Sequence, residues 1–96
     1  MLLITILFLL NSQTLFEARF TGPDAEYAQG AIERQELLHV PVARDVWIFA
    51  ADDGDPETWQ TRLNGSLDPK RGSFTVRCAT PEEVDDVTSG RIALQR

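Results

Sequence analysis

Ninety-six residues with 43% hydrophobic and 25% charged side chains fit one small globular domain spanning 1–96. They exclude a disordered tail, a collagen-like repeat and a polytopic membrane protein. Fifteen acids against nine bases leave a net charge of −6, a field that repels phosphates and argues against a nucleic-acid partner.

Leu2–Leu10 (LLITILFLL) is an apolar run broken only by Thr5, about half the length needed to span a membrane. No Lys or Arg precedes it and no small-x-small pattern follows in Asn11-Ser12-Gln13-Thr14. The expectation is therefore a cytoplasmic chain with no membrane span, with a signal peptide over 1–13 as the alternative. The β-branched and aromatic residues Ile4, Thr5, Ile6 and Phe8 suit a buried strand, and the lack of alternation implies cover on both faces. Thr14–Thr21 alternates and reads as a half-buried strand. Thr21-Gly22-Pro23-Asp24 opens a helix, whose stripe Ala25, Ala28, Ala31, Ile32 and Leu38 is weakened by Gly30. Pro41 ends that helix, and Val42–Ala51 reads as one strand.

Asp55-Pro56-Glu57-Thr58 places a capping acid before a first-turn proline, and Trp59, Leu63 and Leu67 follow on one stripe. Ser73–Ala79 is a strand with Phe74, Val76 and Cys78 on its inward parity. Thr80-Pro81-Glu82-Glu83 forms a capping box for a short helix carrying Val84 and Val87, and Arg91–Gln95 reads as a last edge strand. The order gives an α+β fold: a mainly antiparallel sheet with helices most simply on one face, in a ferredoxin-like arrangement.

Trp47-Ile48-Phe49, Asp52, the helix Pro56–Leu63, Leu67-Asp68-Pro69 and Phe74-Thr75-Val76-Arg77 together resemble the second half of SinR-type proteins. These are relatives of the small ferredoxin-like CRISPR adaptation nuclease, and the resemblance covers residues 44–79. It implies a ferredoxin-like fold. The family's metal-dependent nuclease activity depends on an acid ending its first strand, where this chain has Leu9-Leu10-Asn11.

The candidate site residues are acids. Asp52, Asp53, Asp55 and Glu57 form one group, and Glu82, Glu83, Asp85 and Asp86 another. Carboxylates bind hard cations, but these do not follow the EF-hand spacing, and as helix caps or first-turn acids they serve structure. The same groups would present a nucleic-acid-like surface to a basic protein. His39 and Cys78 make a nucleophile pair only if the fold brings them together, and Cys78 reads instead as a small buried hydrophobe. Lys70, Arg71 and Arg77 are the densest basic group and read as solvated. Asn64-Gly65-Ser66 matches a glycosylation acceptor, which matters only in a secreted protein.

No phosphate loop, nucleophile elbow or metal-binding helix is present, and no cofactor is expected. The reading that follows is a small acidic, non-catalytic interaction module. It would act as an inhibitor or antitoxin of phage or plasmid type, binding a basic protein partner. A divergent metal-dependent ribonuclease and a structural component of a viral or secretion assembly are the alternatives. A homodimer or larger assembly is expected, because Leu3, Leu7 and Leu9 occupy one parity of the first run and Ile4, Ile6, Phe8 and Leu10 the other. Cover by the short third helix or by the Thr14–Thr21 hairpin within one chain is the competing arrangement.

Overall fold

Thr14–Thr21, read as half-buried, is an inner strand covered on both faces over Leu15–Ala18. The computed structural model describes residues 14–52 and 54–95. Strand β1 (Thr14–Thr21) lies between β3 (Val46–Ala51) and β4 (Ser73–Cys78), antiparallel to both. Strand β2 (His39–Ala43) pairs antiparallel with β3, so the order is β2-β3-β1-β4. Helix α1 (Ala25–Arg34) joins β1 to β2, α2 (Pro56–Asn64) joins β3 to β4, and α3 (Pro81–Thr88) follows β4. This α+β order, with each parallel pair split by an antiparallel strand, is compatible with the predicted ferredoxin-like arrangement. Among the described residues no helix is long and apolar enough to cross a membrane.

Period-2 alternation sends Phe16, Ala18 and Phe20 to one face, where Trp47, Phe49, Phe74 and Val76 join them from the flanking strands. Helices α1 and α2 cover this face with Ala28, Ala31, Ile32, Trp59 and Leu63. Alanines on β1 and α1 let helix and sheet approach closely, while the aromatic rings fill the remaining volume edge-on or stacked. Each large side chain fully buried here is worth about 1.5–3 kcal/mol before ordering costs. The opposite face is smaller: Leu15, Ile48 and Ala50 meet Val87 of α3, with Leu38, Val40, Ala79, Ile92 and Leu94 partly buried around them. Two helices thus share one face, whereas the short third helix, expected on that face too, goes to the other, where Leu15, Ile48 and Ala50 need cover.

Four local expectations change. Helix α1 stops at Arg34, short of Leu38, because Gln35 closes it and Glu36 turns the chain at φ 56°. Leu38 then serves the second face. The single strand expected over Val42–Ala51 is the end of a hairpin: Arg44-Asp45 turns, and Pro41 lies inside β2. Proline is tolerated there because β2 is an edge strand, and a register shift follows it. Arg91–Gln95 forms only one isolated bridge, His39 with Gln95. Cys78 is exposed. Its parity is inward, but it lies towards the first turn of α2, which carries Pro56 and Glu57 rather than the large apolar side chains that cover Phe74 and Val76. The expected first strand Leu2–Leu10, with the assembly residues Ile4, Ile6, Phe8 and Leu10, lies outside the described residues.

Candidate functional site

Antiparallel pairing decides where the acids go. Ala51 lies opposite Thr14 and Cys78 opposite Phe16, and the Ala79 N–H donates to the Leu15 carbonyl at 3.1 Å. Strands β3 and β4 therefore both deliver the chain at the start of β1. The segments holding Asp52–Glu57 and Glu82–Asp86 leave the sheet at that same end, about 10 Å apart at one strand spacing on each side of β1.

Each acid then has its own local duty. Asp55 caps α2: its Oδ1 accepts from the Thr58 N–H at 2.8 Å and from the Thr58 hydroxyl at 2.8 Å. Those bonds, the backbone one first, hold its carboxyl below the usual carboxylate range. Glu83 closes the α3 capping box, its Oε1 accepting from the Thr80 N–H at 2.8 Å while Thr80 Oγ1 accepts from the Glu83 N–H at 3.1 Å. Asp86 and Asp85 pair with Arg91, whose Nε donates to Asp86 Oδ1 at 2.8 Å. Asp52, Glu57 and Glu82 are exposed, and neither Glu57 nor Glu82 has an ion-pair partner among the described residues. Asp53 lies outside them. Glu57 and Asp55 also line a shallow open depression of about 400 Å³ with Thr58, Thr61 and Arg62. Among the described residues no three His, Cys, Asp or Glu side chains are grouped to hold a metal ion.

The other candidates are dispersed. His39 and Cys78 sit on the two outer strands, three strand spacings or about 14 Å apart, so they form no pair. His39 is buried in a polar chain: its Nδ1 donates to the Leu37 carbonyl at 2.8 Å and its Nε2 accepts from Gln29 Nε2 at 3.0 Å. Gln29 Oε1 accepts in turn from the Trp47 indole N–H. The basic group also comes apart. Arg71 pairs with Asp24 at 2.7 Å and stacks 3.7 Å over Tyr27, while Arg77 turns to Glu17.

Glu17 is the site residue that sequence reasoning missed. It is 3% exposed on the second face, directly opposite Arg77. Arg77 donates to both its oxygens, Nε at 2.9 Å and Nη2 at 3.0 Å, and Arg19 Nη2 lies 3.4 Å away. The Arg77 guanidinium holds the Glu17 carboxyl below its ordinary value, against the opposing effect of burial. An acid on the solvent parity of a strand, with Arg on the same parity of another, was the available signal. Compared with family models, curated proteins and solved structures, the chain matches none.

Proposed function

We propose that this chain is a non-catalytic interaction module whose acidic sheet end contacts a basic partner protein, as a cytoplasmic inhibitor or antitoxin of phage or plasmid type does. One observation carries the reading: two acid-bearing segments leave the same end of the sheet, one towards each face, with exposed carboxylates, on a chain of net charge −6. Such a surface speeds encounter with a basic protein and selects it over acidic ones without any chemistry. Asp55 and Glu83 are engaged as caps and Arg91 pairs with both Asp85 and Asp86, so the contact is assigned to Glu57 and Glu82 among the described acids.

The test is a pull-down from the native host at low salt with wild type and with Glu57→Lys/Glu82→Lys. Both positions are exposed in the first turns of helices, so the fold is expected to tolerate the change at a cost of about 0.3–1 kcal/mol each against the helix dipole. The expected result is a basic protein retained by wild type and lost with the charge-reversed variant. An unchanged partner list overturns the reading. A list that changes only when Ile6 or Phe8 is made polar favours the assembly component.

A second reading, the divergent metal-dependent ribonuclease, draws on Asp24, which follows the end of β1. Its Oδ1 accepts from the Tyr27 N–H at 3.1 Å as the α1 cap, and its Oδ2 accepts from Arg71. RNA cleavage supported by Mg²⁺ or Mn²⁺ and abolished by Asp24→Asn would replace the interaction reading with this one.

A further inference from the structure

The outer edge of β4 carries a plug. Strands β1 and β4 pair Thr21 with Ser73, Arg19 with Thr75 and Glu17 with Arg77, and the Ala79 N–H to Leu15 O bond continues the ladder on that parity. Alternation of hydrogen-bonded and free pairs then turns the backbone groups of Phe74, Val76 and Cys78 outward, away from β1. Helix α2 fills this edge with side-chain amides. Asn64 Oδ1 accepts from the Phe74 N–H at 2.7 Å and Asn64 Nδ2 donates to the Phe74 carbonyl at 3.1 Å, as a neighbouring strand would. Gln60 Oε1 accepts from the Val76 N–H at 2.9 Å. The Asn64-Gly65-Ser66 triplet that resembles a glycosylation acceptor therefore has its amide already engaged. The other edge is closed by different means: Pro41 and a register shift in β2, and the bridge from His39 to Gln95.

We infer that the β4 edge is a latent strand-addition site, held shut by Asn64 and Gln60, and that the strand it accepts when opened is β4 of a second copy. Self-complementarity favours that occupant. In an antiparallel pair centred on Val76, the outward groups of Phe74, Val76 and Cys78 meet those of Cys78, Val76 and Phe74 of the second copy. Arg77 then lies across from Thr75 rather than from another Arg77, so no like charges are opposed. The result is one continuous sheet through two molecules. This inference does not rest on the acidic end.

The test compares wild type, Gln60→Ala, Gln60→Ala/Asn64→Ala, and the double variant with Cys78→Pro, by sedimentation and circular dichroism. Alanine favours helix at both α2 positions, so α2 is retained. A nitroxide on Cys78, the single and exposed cysteine, reports the pairing in the first three proteins. The paired Cα atoms of residue 78 would stand about 15 Å apart, close enough for dipolar broadening. The expected result is an association step in the double variant that wild type lacks, a weaker one in Gln60→Ala, and broadening in step with both. Cys78→Pro removes an outward N–H and abolishes the step. The inference is overturned if the double variant, with native circular dichroism, gains no association. It is equally overturned by broadening already in wild type, or by association that persists with Cys78→Pro.

Discussion

Glu17 shows how one buried charge sets an acid-side limit on stability. A carboxylate taken out of water is tolerated only when paired, and Arg77 supplies a two-point partner whose own side chain stays 57% exposed. The folded-state pKa of Glu17 is depressed, so its contribution is present above the unfolded value and lost as pH falls through the folded one. Asp24, through the Tyr27 N–H, and Asp55, through the Thr58 N–H, are lowered too and act in the same direction. Glu17→Gln is expected to cost about 1–2 kcal/mol near neutral pH, because the amide cannot accept both guanidinium bonds. It should also flatten, without abolishing, the fall in Tm between about pH 5 and 3. Thermal denaturation across that range checks both. An unchanged slope would mean that Glu17 does not contribute to acid sensitivity.

Elements were legible where a local rule had no competitor. The capping box Thr80–Glu83, the Asp55-Pro56 start and the alternation of Thr14–Thr21 all act within one turn or one strand, and each appears where the sequence places it. The β2–β3 hairpin was missed because Arg44-Asp45 lacks the glycine or asparagine that marks tight turns. What fixes it is tertiary: the Asp45 carbonyl accepts from the Phe20 N–H at 2.8 Å. Cys78 was misread for a related reason, since parity gives the side of a strand but not whether a helix covers it. The acidic groups were visible as composition, but their convergence follows from strand order and could not be read locally. Gly30 is a helix-interior residue that the local rule disfavours. A Cβ there would meet only Arg34 Nη1 at 3.6 Å, an ordinary contact. Gly30→Ala is therefore expected to raise stability by about 0.5–1 kcal/mol in denaturant titration. Gly72 is the opposite case: at φ 143° its Cβ would stand 2.7 Å from the Thr21 carbonyl oxygen, so alanine does not fit.

Among the described residues the molecule is lopsided across its sheet. One face carries two helices and the aromatic core, whereas the other is closed by a helix that buries only Val87 and by a tail tied through His39 and Gln95. The tail bonds are sound, with His39 N–H to Gln95 O at 2.7 Å and the reverse at 2.8 Å, but they are few. Free energies of local opening follow buried apolar contacts, so residues 81–95 should open well below the global unfolding energy. Val87→Asp tests this by placing an unpaired carboxylate where a methyl cluster packs. If α3 is only a cover, the variant escapes the penalty by detaching it, at the cost of exposing Leu15 and Ile48, about 1.5–3 kcal/mol each before the entropy that the freed segment regains. Hydrogen exchange would then show fast amides over α3 and the tail, with β1 and β3 still protected. Exposed Leu15 and Ile48 would bind a hydrophobic dye in a protein that remains folded. Loss of protection in β1 and β3 together with α3 would instead show that the two faces form a single cooperative unit.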